Sequence, residues 1–175
     1  MTPNLFGRTL FRGAVAALFA TAASACGGGS GEAAAKSGGD AAPSAGASAP
    51  ADAPLAIVYK SPTCGCCNNW VKHMQDSGFR VETHDQENVD PVKDEAHVPI
   101  AARSCHTAKI GGYAIEGHVP ADVIKQLLRE HPGDIAGLAV PGMVTGSPGM
   151  EGPNPQHYDV IAFTKDGQTR VYASR

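Results

Sequence analysis

Leu55-Ala56-Ile57-Val58-Tyr59, followed by Ser61-Pro62-Thr63-Cys64-Gly65-Cys66-Cys67, decides the fold. The first run is unbroken apolar residues, the pattern of a strand covered on both faces. Ser61-Pro62-Thr63 breaks it. From Cys66 to Ser77 the apolar residues Cys67, Trp70, Val71 and Met74 recur at i, i+3, i+4 and i+7, which predicts a helix with one buried face. Gly78 stops that helix. Phe79 to Asp85 then alternates, with Phe79, Val81 and Thr83 on one side and Arg80, Glu82 and His84 on the other, the pattern of a second strand. Strand, helix and strand in so short a span form a βαβ unit.

Working toward the C-terminus, residues 86–97 are polar and leave room for a short surface helix. Ser104 to Gly117 carries Gly111-Gly112 and is expected to be extended or looped. Pro120 opens a helix with Val123, Ile124, Leu127 and Leu128 inside, and Pro132 stops it. Gly137 to Gln156 is rich in glycine and proline and is expected to be loop throughout. Tyr158–Thr164 and Thr169–Ala173 flank Lys165-Asp166-Gly167-Gln168, and Asp-Gly between two β-rich runs signals a hairpin. The order β-α-β, helix, hairpin predicts an α/β thioredoxin-like fold. It would carry an insertion before the second helix, a Gly/Pro/Met loop, and no final helix.

Working toward the N-terminus, Arg8 and Arg12 precede the apolar stretch Gly13–Ala20, and small residues lead to Ala23-Ser24-Ala25-Cys26. A basic start, a short apolar stretch and an Ala-x-Ala end predict a secretory signal peptide over 1–25. Ala23-Ser24-Ala25-Cys26 also has the form of a bacterial lipobox, in which Cys26 becomes the lipidated first residue. The lipobox is favoured over ordinary cleavage because a tether follows. Residues 26–54 are almost wholly Gly, Ala, Ser and Pro and hold no Leu, Ile, Val or aromatic residue, so they are expected to be disordered. That leaves 55–175 as the folded domain, long enough to bury a core without disulfides. The expected location is the periplasm, with membrane contact only through a lipid on Cys26. The 175 residues carry 14 Lys+Arg against 17 Asp+Glu, a net charge of −3, with no basic tract to bind nucleic acid. No apolar run reaches the roughly 18 residues of a membrane span.

Four of the five cysteines fall between Cys64 and Cys105. Cys64 and Cys67 make a C-x-x-C at a strand-to-helix junction, where the free N–H groups of the first turn favour thiolate over thiol. Cys66 adds a third sulfur in the same turn. Converging soft sulfur suits Cu(I) and Zn(II) far better than Mg or Ca. Cys105 and His106 offer a further thiol and imidazole, with a disulfide to Cys66 and a surface histidine as the alternatives. His118 is a candidate set behind them, because its place at a helix entry explains it equally well. His73 is rejected: it lies two turns along the same helix, about 10 Å from Cys66. His84, His97, His131 and His157 read as solvated. Pro141-Gly142-Met143 and Pro148-Gly149-Met150 place two methionines in a loop with no helix or strand to carry them inward. Thioether is a soft ligand that suits Cu(I) and is poor for Zn(II), so Met143 and Met150 turn the choice toward copper. Pro141 is expected to sit in the loop that faces the cysteines of a thioredoxin-like fold, bringing Met143 near them.

These blocks resemble the CopG-type periplasmic copper-resistance family, also known as domain-of-unknown-function family 411. The resemblance covers nearly all of 55–175. It rests on Tyr59–Cys67, Ser104-Cys105-His106-Thr107-Ala108, Gly111-Gly112-Tyr113, Glu116-Gly117-His118-Val119-Pro120, Ala139–Met143 and Gly146–Glu151. Family members often have proline where this chain has Val144. The resemblance implies a thioredoxin-like fold, copper bound through the cysteine motif, and copper handling outside the cytoplasm. Copper ions, and other exported copper-handling proteins, are the implied partners. The expected ligand set is Cys64, Cys66, Cys67, Cys105, His106, Met143 and Met150, holding Cu(I), as a multinuclear cluster if thiolates bridge, with Cu(I)/Cu(II) redox activity compatible. Two other classes stay open. One is a thiol–disulfide oxidoreductase with Cys64 as nucleophile and Cys67 as resolving thiol. The other is a zinc-binding or adaptor module.

Overall fold

The computed structural model describes residues 49–175. The expected signal peptide, Cys26 and most of the expected tether lie outside them. Pro50–Ala53 make a turn, and Ala51 and Pro54 accept hydrogen bonds from Arg80. No helix among the described residues is long and apolar enough to cross a membrane.

The βαβ unit forms where the sequence places it. Strand β1 (Leu55–Lys60) leads into α1 (Gly65–Asp76) and returns as β2 (Arg80–Asp85), parallel to β1. Helix α1 buries Cys67, Trp70 and Met74, three of the four expected positions, while Val71 packs partly. β1 is not covered equally on both faces. Ala56 and Val58 on one face are fully buried, whereas Leu55, Ile57 and Tyr59 on the other are half-buried.

Between 86 and 117 the chain is more regular than its composition suggests. A short helix α2 (Asp90–Glu95) is followed by a 3-10 turn at Ile100–Ala102. The segment expected to be extended or looped is extended, as a tight hairpin of β3 (His106–Ile110) and β4 (Tyr113–Glu116). Gly111 and Gly112 join the strands with φ of +58° and +88°, the left-handed pair that a two-residue hairpin turn requires. The strands escaped the pattern reading because polar His106, Thr107 and Glu116 are buried beside apolar neighbours. Helix α3 (Ala121–Glu130) then buries Val123, Ile124 and Leu127. It leads to β5 (Gly137–Ala139), parallel to β4, inside the stretch expected to be all loop. Strands β6 (Asp159–Phe163) and β7 (Thr169–Ser174) form the expected hairpin, with Gly167 at positive φ in its turn.

The seven strands make one mixed sheet in the order β2-β1-β3-β4-β5-β6-β7. The order β-α-β, helix, hairpin is therefore present, carried by β3–β4 and not by the C-terminal hairpin. What read as an insertion is α2 with that hairpin. α3 follows the hairpin as a closing helix, contrary to expectation, and β5–β7 extend the sheet on the far side. The main core joins Trp70 and Met74 of α1 to Ile124 and Leu127 of α3 over Val58 and Ile115. A smaller cluster of Val98, Ala102, Ala114, Ala139 and Phe163 fills a second packing site.

His73, rejected as a ligand, has a structural role: its Nε2 accepts the Ala121 backbone N–H at 3.1 Å, at the start of α3. Burial holds its pKa below the ordinary value, against the raising effect of Glu151, Asp122 and Asp76. A native state that prefers the neutral ring is complete above the unfolded value near 6.5 and loses stability as pH falls below it. His73→Gln keeps an acceptor without the titration. The melting temperature of the variant is expected to fall less than that of the parent between pH 7 and pH 5, as thermal melts at both pH values will show.

Candidate metal centre

The strand-to-helix junction after β1 and the start of β3 meet at the same end of the sheet. Lys60 pairs with His106 across β1 and β3, so the loop after Lys60 and the residue before His106 emerge side by side. This brings Cys64, Cys66, Cys67 and Cys105 together, with all four sulfurs within 4.8 Å of one another. Their separation along the chain is closed by sheet register, not by a local motif.

Cys64 and Cys67 are joined as a disulfide, and Cys66 and Cys105 are free. The Cys66 Sγ lies 3.5 Å from the Cys64 Sγ. The alternative of a Cys66–Cys105 disulfide is not the bond formed. Three converging thiolates at Cys64, Cys66 and Cys67 consequently require a two-electron reduction first, because a disulfide sulfur has no thiolate charge to offer.

Cys105 also belongs to a second donor group, with His106 and His118, whose ligand atoms again lie within 4.8 Å of one another. His118 Nδ1 donates to the Pro148 carbonyl at 2.8 Å, which leaves the Nε2 lone pair facing Cys105 Sγ at 3.1 Å. The Cys105 S–H donates there, and His106 Nδ1, 3.3 Å away, donates to the same sulfur. His106 Nε2 is then a bare acceptor, buried without a hydrogen-bond partner among the described residues. His106 is wedged between Trp70 and His118, with ring centroids at 4.5 Å and 5.1 Å.

Burial, then the charges of His118 and Lys93, push His106 well below its ordinary pKa, and burial lowers His118 as well. Both shifts favour the neutral imidazole, the form that ligates a metal. Burial and the neighbouring Cys66 push the Cys105 thiol up to about 11. A cation that takes this sulfur must therefore displace a proton.

The Gly/Pro/Met loop closes over the same end. Ser104 Oγ donates to the Gly142 carbonyl at 2.5 Å, and Pro148 receives His118. Gly149 has φ +84°, and a Cβ there would stand 2.6 Å from Trp70 N and 2.8 Å from Cys66 O, so the loop rests directly on the first turn of α1. Cys105 meets the C-x-x-C from the start of the core hairpin, and the loop meets the site through Gly142, Pro148 and Gly149. Met143 is 49% exposed, and Met150, next to Gly149, is partly buried.

The ligand set expected from the sequence left His118 as a lesser candidate, although the Glu116-Gly117-His118 block was visible. It omitted the buried Lys93–Glu116 pair beneath Ser104, with Nζ to Oε1 2.6 Å. A lysine in a short polar helix carries no pattern that announces burial.

The donor chemistry suits a soft cation: four sulfurs, two neutral imidazoles and no carboxylate within either group.

A family model described as "Protein of unknown function, DUF411" matches residues 102–150, the stretch holding Cys105, His106, His118 and both loop methionines. The solved structure of "Copper resistance protein copG- Form 2" is 40% identical with a TM-score of 0.67, over 71% of this chain and 99% of that one. "Copper resistance protein copG- Form 1" is 41% identical with a TM-score of 0.65, over 69% and 96%. No curated protein matches the chain.

Proposed function

Since the chain belongs to the CopG-type copper-resistance family, we propose that it binds copper in the service of copper resistance, through the four clustered cysteines. One observation carries this reading: four sulfurs from two distant segments lie within 4.8 Å of one another. Once Cys64–Cys67 is reduced, the set is rich enough in thiolate to favour Cu(I) over harder ions. Cys105 stands in both donor groups, so a bridging thiolate between two copper ions fits the arrangement. His118 joins the ligand set beside His106. Cu(I)/Cu(II) interconversion is compatible with ligands that themselves change oxidation state.

The methionines separate copper from zinc. Met150→Leu is expected to lower Cu(I) affinity about tenfold and to leave Zn(II) affinity unchanged. Met143→Leu, with its exposed side chain, is expected to change Cu(I) less. Competition titrations with a Cu(I) chelator and a Zn(II) chelator check both. If both variants bind both ions as the parent does, the methionines are not ligands and zinc regains its place.

The Cys64–Cys67 disulfide at the start of α1, with a free thiol 3.5 Å away, favours a second reading as a thiol–disulfide oxidoreductase. Insulin reduction by metal-free Cys66→Ala protein would support it, and an inert protein would remove it. Export to the periplasm and a lipid tether at Cys26 complete the proposal. Incorporation of a labelled fatty acid that vanishes in Cys26→Ala tests the anchor.

A further inference from the structure

Beneath the Cys105 segment lies a charged network that the proposed function leaves unused. Lys93 of α2 is 2% exposed and Glu116 of β4 is fully buried. The Glu116 carboxylate accepts three hydrogen bonds: from Lys93 Nζ at 2.6 Å, from Thr107 Oγ1 at 2.6 Å, and from the Ser104 backbone N–H at 2.6 Å. Lys93 also donates to Thr107 Oγ1 at 3.0 Å. Thr107 and Glu116 are paired across β3 and β4, so the carboxylate is built into the hairpin.

A buried ion pair is weak evidence for stability, since well-packed apolar residues often hold a fold equally well. Its value lies in what it orients. Here the third hydrogen bond leaves the ion pair and seizes Ser104, the residue before Cys105. The Ser104 hydroxyl is held separately by the Gly142 carbonyl at 2.5 Å. Arg103, one residue earlier, is paired with Asp94 and Asp90 of α2. The backbone entering Cys105 is thereby clamped from two sides before its sulfur reaches the cluster.

We propose that Lys93 and Glu116 are positioning residues that hold Cys105 against Cys66, with the Glu116 acceptor oxygen for Ser104 N–H as the working element. The inference rests on the reading of the four cysteines as one site, but its test uses no copper and fails independently of it. In the full chain with Cys64–Cys67 oxidised, diamide converts the Cys66 and Cys105 thiols to a disulfide, whose formation rate reports their alignment. Lys93→Met with Glu116→Leu removes charge and acceptor together; Lys93→Met with Glu116→Gln restores an uncharged acceptor. The first pair is expected to slow Cys66–Cys105 closure about tenfold or more at unchanged circular dichroism, and the second to restore it to within about twofold of the parent. Peptide mass spectrometry locates the bond. Closure at the parental rate in a folded Leu variant overturns the proposal, as does a Gln variant as slow as the Leu variant. Should the Leu variant not fold, amide exchange in the parent decides: the Ser104 N–H is expected to be protected as strongly as the β3–β4 ladder, and exchange at the rate of the exposed loop amides overturns the proposal.

Discussion

Cys105→Ala is expected to lower Cu(I) affinity by more than about 100-fold, since loss of even an outer partner of a metal ligand costs about 10- to 100-fold. The reason is geometric. Cys105 is the one residue common to the sulfur group and the Cys105–His106–His118 group. Its removal takes a thiolate from the first and the bridge to the second. The remaining Cys64, Cys66 and Cys67 form a local motif that retains some copper, so the stoichiometry should fall as well as the affinity. Chelator competition on the reduced protein measures both. An affinity within threefold of the parent, in a protein with parental circular dichroism, would show that the second segment is a neighbour of the site and not part of it.

Gly149→Ala carries the largest expected effect on stability, about 3 kcal/mol, from left-handed backbone strain plus overpacking. The obstacle is backbone: the new Cβ meets Trp70 N and Cys66 O, neither of which can move without unwinding the first turn of α1. For a domain of this size that corresponds to a drop of about 10 °C in melting temperature. Gly133→Ala, where a Cβ meets nothing within 4 Å, is the matched control and is expected to change stability by less than about 0.5 kcal/mol. Because Gly149 follows the carbonyl that orients His118, copper affinity should fall together with stability. A Gly149→Ala protein that melts with the parent would mean that the loop does not rest on α1.

The part of the fold legible in the sequence is the part built from long, regular patterns. β1 was a five-residue apolar run, α1 and α3 kept a 3.6-residue period, and Asp166-Gly167 announced the last hairpin. β3 and β4 were hidden because their buried residues include His106, Thr107 and Glu116: Thr107 and Glu116 bond to each other and His106 Nδ1 to Cys105, partners that a hydropathy pattern does not show. Gly111-Gly112 is the signal available there, and it fits an extended segment or a loop without fixing a hairpin. β5 has only three residues and exists because β4 and β6 flank it. At the site, the C-x-C-C motif and Cys105 were legible as chemistry, while their meeting depended on β1–β3 register. His118 was set back because a histidine at a helix entry has two explanations, and only the Pro148 carbonyl distinguishes them. Lys93 was invisible for the same reason that it matters, since its partner lies far along the chain on another element.

The central claim is that soft sulfur, freed by reduction of Cys64–Cys67, captures Cu(I). Cu(I) titration of the fully reduced chain beside the chain with that disulfide intact tests it most directly. The reduced chain is predicted to take up copper tightly, and the disulfide form to hold it at least about 100-fold more weakly. A reduced chain that stays empty when offered cuprous ions, or two forms that bind equally, would contradict the account.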